Sequence, residues 1–440
     1  MDLLQLQHEN AGISEAAVQP STEALIPYIE ELKRASEDAD FSLDEASVRL
    51  PFDEKIRTEV LKLAAQLQNP KLKYIVVLGI GGSNLGTQAI YEALHGRHTE
   101  FRPVRIFFGD TVSPRLATYL KKMLIEQTSA PEEFVLNVIS KSGTTTETIA
   151  QFETLYEPLH QKYGDAANAR IVTTTDRGSK LWKLAEKKGF KNLEIPKKVG
   201  GRFSVFSAVG LFPLHLVGIN IVELLDGARA MAERCLESSK ETAATNNPAL
   251  ASAILTHLHA QSDLTICNNF FFNPELESLG KWHRQLMGES IGKEKDLDGN
   301  IVHAGITPMV SIGSTDLHSM AQLYFGGPRD KFHHIIYSPT PNFTANVPKE
   351  SPLENLVQGI GGKSFQEIMS AIIGGVKAAY VKNKIPFTEI TMPEVREHTL
   401  GQYLQFKMIE MMFLARLMNL NAFDQPNVED YKSETRALLA

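Results

Sequence analysis

The sequence predicts an α/β protein of two units, each with a mainly parallel sheet. Two observations predict this. Short continuous apolar runs alternate with helical patterns over residues 71–200, and the alternation resumes near residue 264. A third observation predicts where a ligand sits. Glycine-rich and hydroxyl-rich turns follow two of the apolar runs, at the strand ends where open α/β sheets bind their ligands.

The elements follow in chain order. Residues 1–70 are charged, with apolar positions at helical spacing around Ile26–Leu32 and Val60–Ala64, and predict a helical N-terminal segment. Tyr74–Gly79 is an uninterrupted apolar run, as a strand buried on both faces requires. A helix follows over Thr87–Leu94. Further strands are expected at Val104–Phe108, Phe134–Ile139 and Arg170–Thr174, so residues 71–200 form the first α/β domain. A helical connection spans 201–262. The second α/β domain, 263–392, is expected to hold strands at Leu264–Cys267, Pro308–Ile312, His334–Tyr337 and Phe387–Ile390. Its helices include 315–325 and 364–382. The four prolines between Pro339 and Pro352 predict a loop. A helix around 395–420 and a tail close the chain, within 393–440.

With 440 residues, 43% hydrophobic and 22% charged, the chain has an ordinary globular composition. A net charge of −7 argues against nucleic acid or an anionic membrane as partner. Cys235 and Cys267 are too sparse for a disulfide framework or a zinc site. No signal-peptide pattern and no run of 18 apolar residues is found, so the cytoplasm is the expected location. His257 and His259 are two apart, and His333 and His334 adjacent, so neither pair shares a face and no metal is predicted.

The densest chemistry lies in Ser140–Thr146, which holds five hydroxyls and Lys141 between a strand and a helix start. Backbone N–H groups, the helix dipole and hydroxyl donors converge there, which suits a phosphate. One or two hydroxyls would suffice for a cap, so the excess favours an anion. Gly79-Ile80-Gly81-Gly82-Ser83 ends the first strand and lets a ligand approach the backbone. Its spacing is not a dinucleotide fingerprint, and no acid follows at the right distance.

Four later segments carry candidate groups. Gly200-Gly201-Arg202 can bring a guanidinium to an oxyanion, although a surface turn is an equal alternative. Glu289, after an amphipathic helix and between Gly288 and Gly292, could serve as a base. Gln285 would share its helical face. His318 follows a capping sequence at Gly313–Asp316, in a first turn whose dipole favours neutral imidazole. Lys432 closes the segment Phe423-Asp424-Gln425-Pro426-Asn427-Val428-Glu429-Asp430-Tyr431-Lys432.

Taken together and in this order, these segments resemble the glucose-6-phosphate isomerase (phosphoglucose isomerase) family, in its short bacterial form. The resemblance runs from about residue 70 to the C-terminus. Gly-Gly-Arg-Phe-Ser at 200–204 and Phe-Asp-Gln-x-x-Val-Glu-x-x-Lys at 423–432 match the two signature regions. It implies two doubly wound sugar-binding domains of the SIS type and a homodimer with a shared active site. It implies that Ser140, Ser142 and Thr145, with Lys141, hold the sugar phosphate beside Gly81, Gly82 and Ser83. Arg202 would stabilise an enediolate, and Glu289 would move a proton between C1 and C2. His318, from the other subunit, and Lys432 would assist ring opening, with Gln285 and Gln425 binding the sugar. No cofactor is implied. Asn427 departs from the signature glycine; Asn tolerates left-handed backbone better than most residues. Ser142-Gly143 follows the family's short form. The alternatives are a phosphosugar isomerase of relaxed epimer specificity and a non-catalytic sugar-phosphate sensor. The joint presence of Glu289, His318 and Lys432 argues against the sensor.

Overall fold

The apolar runs become strands of two five-stranded sheets in the computed structural model, which describes residues 3–97, 101–237, 246–340, 342–350, 353 and 356–439. In chain order the strands are β1 (Gln5–Gln7), β2 (Tyr74–Leu78), β3 (Arg105–Gly109), β4 (Phe134–Ile139), β5 (Ile171–Thr175), β6 (Lys191–Glu194), β7 (Ile266–Phe271), β8 (Lys293–Lys295), β9 (Ile301–Ala304), β10 (Thr307–Ile312), β11 (Lys331–Tyr337) and β12 (Phe387–Thr391). The chain divides into two compact units: Glu31–Arg229, and Met1–Glu30 with Ala230–Ala440.

In the unit Glu31–Arg229 the sheet order is β3-β2-β4-β5-β6, and every pairing is parallel. All residues of β2, β4 and β5 are buried, so β2 reads as an unbroken apolar run and β4 as one broken only by Asn137, while β5 buries Thr173, Thr174 and Thr175 after Ile171 and Val172. Tyr74, Val76 and Leu78 share a core with Phe134, Leu136 and Val138 and with the helices Pro114–Glu126, Thr146–Tyr163 and Lys180–Lys188. Each such buried apolar side chain contributes about 1.5–3 kcal/mol. Ile75 and Val77 point the other way and are equally buried. Helices Glu54–Leu67, Leu85–His95 and Ala208–Leu216 pack together on that side. Helices thus cover both faces. The strand order reverses between β2 and β4, and open α/β sheets bind ligands at the C-terminal strand ends of such a switch point.

In the second unit the order is β1-β12-β11-β7-β10, parallel except for β1. Phe270, Ile335 and Phe387 face the helix Phe365–Lys382, which starts with a capping box between Ser364 and Glu367. The other face carries Cys267, Asn269 and His334, under the packed helices Pro248–Gln261, Glu277–Ile291 and Glu397–Leu417. The last helix is buried from Thr399 to Ala415, so it shows little amphipathic pattern.

Several expectations need correction. β1 interrupts the predicted helical N-terminal segment, and β6 and the antiparallel hairpin β8–β9 were not predicted. β1, β6 and β8 are mostly polar or charged because they are edges or one half of a surface pair, without apolar cover on both sides, and β9 is largely exposed although Ile301 and Val302 are apolar. The predicted helix 315–325 is two short ones, Thr315–Ser319 and Ala321–Gly326. Over 339–350 the chain forms a loop with isolated bridges at Thr340 and Asn346; 341, 351 and 352 lie outside the described residues.

His333 and His334 do point to opposite faces, towards Tyr380 and Thr388 respectively. Cys235 and Cys267 are free and buried, and burial pushes both thiols up to about 12. Among the described residues no helix is long and apolar enough to cross a membrane.

Candidate functional site

The two turns that the sequence singled out stand at the C-terminal ends of β2 and β4, adjacent strands of one sheet. After β2 the chain makes a tight turn over Gly81–Ser83, with Gly81 at φ 58°, before the helix Leu85–His95. After β4 it forms the loop Ser140–Thr145, with Gly143 at φ 70°. Only glycine adopts these left-handed angles without strain.

Ser140 is buried and organises its loop from within. Its Oγ accepts from the backbone N–H of Gly143 at 3.1 Å and of Thr145 at 3.4 Å, and lies 2.8 Å from Thr145 Oγ1. Ser142 Oγ accepts from the Thr144 N–H and hydroxyl. Thr145 is the N-cap of the helix Thr146–Tyr163 but makes no side-chain capping bond. The first-turn N–H groups of that helix therefore lack the usual side-chain acceptor, which leaves an anion-binding geometry.

Lys141 is half-buried. Desolvation lowers its pKa, opposed by the nearby Asp176 carboxylate, while Lys198 lowers it further. A phosphate dianion would offset that desolvation. Asp176 was missed in the sequence reading. It stands one residue past β5, donates its N–H to the Lys141 carbonyl at 3.1 Å, and has its own pKa raised by burial against the pull of Lys141. An acid at a strand's C-terminal end was the available signal.

Arg202 comes to the same place. It lies in the turn Gly201–Phe203, buried, with its guanidinium 5.3 Å from the Phe203 ring centroid. Ser204 Oγ ties the turn to the Gly201 carbonyl at 2.7 Å and approaches that of Gly82 at 3.4 Å. A Cβ on Gly82 would lie 2.1 Å from the Gly201 carbonyl carbon and 2.5 Å from the Arg202 nitrogen. Gly82→Ala must therefore push the two turns apart. The expected loss is about 1–3 kcal/mol of stability, from overpacking against backbone that cannot rotate away. A thermal melt of the variant that overlays the wild type would contradict this contact.

In the second unit Glu289 sits within the helix Glu277–Ile291, in its last turn, rather than beyond the helix as its flanking glycines suggested. Gln285 shares its face as expected, and Gln285 Nε2 donates to Glu289 Oε1 at 2.8 Å. Gln285 Oε1 is buried and has no partner. His318 is exposed in the one-turn helix Thr315–Ser319, not in the first turn of a long one. Ser314 does not cap that turn; Asp316 instead accepts from the Ile312 N–H at 2.7 Å.

Gln425 is exposed at the edge of the turn Pro426–Val428, and Lys432 lies in the helix Glu429–Leu439, where it donates to Glu429 at 2.6 Å. Asn427 does not adopt the positive φ for which its type seemed suited; its Nδ2 donates to Glu294 Oε2 at 2.9 Å. Among the described residues no group of three His, Cys, Asp or Glu side chains converges as a metal site.

The chain belongs to the phosphoglucose isomerase family, whose model matches residues 51–439. It is 38% identical over 403 residues to a glucose-6-phosphate isomerase of Carboxydothermus hydrogenoformans, covering 89% of this chain and 84% of that one. A glucose-6-phosphate isomerase of Leptospira biflexa is 34% identical over 409 residues, covering 89% and 85%. Among solved structures, a hypothetical protein of Thermus thermophilus superposes with a TM-score of 0.85 at 30% identity over the whole of both chains. A glucose-6-phosphate isomerase of Chlamydia trachomatis superposes with a TM-score of 0.80 at 20% identity, over 99% of this chain and 88% of that one, and shares the fold.

Proposed function

We propose that this protein interconverts D-glucose 6-phosphate and D-fructose 6-phosphate, by ring opening and a cis-enediol intermediate, in glycolysis and gluconeogenesis. One observation carries the reading furthest. An uncapped helix N-terminus, a hydroxyl loop with a desolvated lysine, and a buried arginine on a turn packed against Gly82 all belong to the β2–β4 end of one sheet, in a chain of this family.

The phosphate is held by the loop Ser140–Thr145, through Ser140, Ser142, Thr145 and Lys141, with Gly81, Gly82 and Ser83 lining the same end. Its binding energy orients a part of the sugar that does not react. Arg202 stabilises the negative charge that develops on the enediolate oxygens. Glu289 takes the proton from one carbon and returns it to its neighbour on the same face. Gln285 holds that carboxylate through Nε2, and its unpartnered Oε1 is an acceptor for a sugar hydroxyl. Gln425 also binds the sugar, and Lys432 assists ring opening. His318 does so from a second copy of the chain, so the working form is a homodimer. Both proton transfers proceed without a cofactor, and the place of work is the cytoplasm.

A coupled assay with glucose 6-phosphate and, separately, mannose 6-phosphate tests the reaction and its epimer preference. No turnover of either sugar would leave the sensor reading. Ser140→Ala removes the acceptor that shapes the loop, and Lys141→Met removes its cation. Each is expected to raise KM roughly tenfold, the scale of one hydrogen bond to a charged group. A fall in kcat with KM unchanged would contradict the phosphate role.

A further inference from the structure

The hairpin β8–β9 begins two residues after the helix that carries Gln285 and Glu289, and it is stitched to the C-terminal segment of the chain. Lys293, the first residue of β8, has a side chain only 4% exposed, and its ammonium donates to the backbone carbonyl of Asp424 at 2.5 Å and to the carboxylate at 2.9 Å. The next residue, Glu294, accepts from Asn427. The two contacts hold the segment at two points three residues apart, Asp424 and Asn427. Further along, the Leu297 N–H donates to the Asn419 carbonyl at 2.8 Å, and Asn419 Nδ2 donates to Asp298 at 2.7 Å.

Asp424 and Asn427 bracket Gln425, and the helix bearing Lys432 follows directly. The segment is largely exposed and consists of the turn Pro426–Val428 and a surface helix, so its spacing from the Glu289 helix depends on contacts with other elements. The lysine is the strong member: a buried ammonium is stable only where its partners are held in place. The asparagine is the exposed member and fixes register.

We propose that Lys293 and Asn427 are positioning residues: through Asp424 and Glu294 they hold the Gln425–Lys432 segment at one spacing from the end of the Glu289 helix. The inference rests on the role given above to Lys432. Asn427 supplies an amide donor, and Glu294 lies within its reach.

The test is a set of full-length variants assayed with glucose 6-phosphate. Lys293→Met keeps the side-chain volume and leaves Asp424 open to hydration, and Asn427→Asp sets two carboxylates against each other at an exposed site that does not endanger folding. Each is expected to lower kcat/KM roughly 10- to 100-fold, the effect of misplacing a reacting group by about 1 Å. Glu294→Gln added to Asn427→Asp restores a donor–acceptor pair with its direction reversed and should recover most of the loss. In a Lys432→Ala background, Lys293→Met should add little, because residues acting as a unit are not additive. Lys432→Ala with wild-type kcat/KM would overturn the role of Lys432 and this inference with it. A loss with Lys432→Ala on which Lys293→Met imposes its full factor would overturn the positioning alone. So would failure of the Glu294→Gln rescue.

Discussion

Glu289→Gln is expected to lower kcat roughly 10²- to 10⁴-fold, the range set by loss of a positioned general base. The substitution isolates the proton transfer from the geometry. Glu289 Oε1 accepts from Gln285 Nε2 at 2.8 Å, and a carboxamide oxygen can take the same bond. The side-chain length and the helical last turn are unchanged. What disappears is the basic lone pair. The Ser140 loop proposed to hold the phosphate belongs to the other unit of the chain, so KM for the sugar phosphate is expected to move little. Exchange of the sugar C2 proton with solvent deuterium should stop together with turnover. Wild-type-like turnover would remove Glu289 as the base, and retained exchange without isomerisation would point to a second base.

Lys407→Met is expected to destabilise the unit Met1–Glu30 with Ala230–Ala440 by about 3–5 kcal/mol, because it leaves a buried carboxylate unpaired. Lys407 and Glu410 lie on the buried helix Glu397–Leu417, both fully inaccessible, with Nζ 2.8 Å from Oε2. The approach is off the hydrogen-bonding direction, so the pair is held mainly by charge. Ser252 donates to the other carboxylate oxygen.

The ammonium also acts on its surroundings. Burial lowers the pKa of His283 and His334 well below the ordinary value, and the charge of Lys407 lowers both further. Glu410→Leu added to Lys407→Met should return most of the stability, since apolar groups of similar volume replace a buried ion pair at little cost. Denaturant titration of the three variants reads this directly. A Lys407→Met protein as stable as the wild type would show that water reaches Glu410.

Strand β2 was legible because burial on both faces demands an unbroken apolar run, and β4 and β5 because they are short runs of apolar and β-branched residues. The Ser140 loop was legible because its chemistry is contiguous: hydroxyls, lysine and helix start occupy seven residues of sequence. Helix Phe365–Lys382 was expected over 364–382, and the structure adds the Ser364/Glu367 capping box that fixes its start. β1 and β6 were not legible: three or four residues, all but one of them polar in each, pair at a sheet edge, and the partner strand, not their own composition, makes them strands.

The same division holds for the candidate site. Sequence alone singled out the Ser140–Thr145 loop and named Gln285 and Glu289 as neighbours, since a separation of four residues on a helix fixes a shared face. Only tertiary structure decided that Gly82 must be glycine for the Arg202 turn to approach it, and that Lys293 grips Asp424 from 131 residues away. It also decided that Asn427 is a donor rather than a left-handed turn residue. Local sequence encodes periodicity and contiguous chemistry. Contacts between distant segments depend on how whole elements pack, and that information resides in no single stretch of the chain.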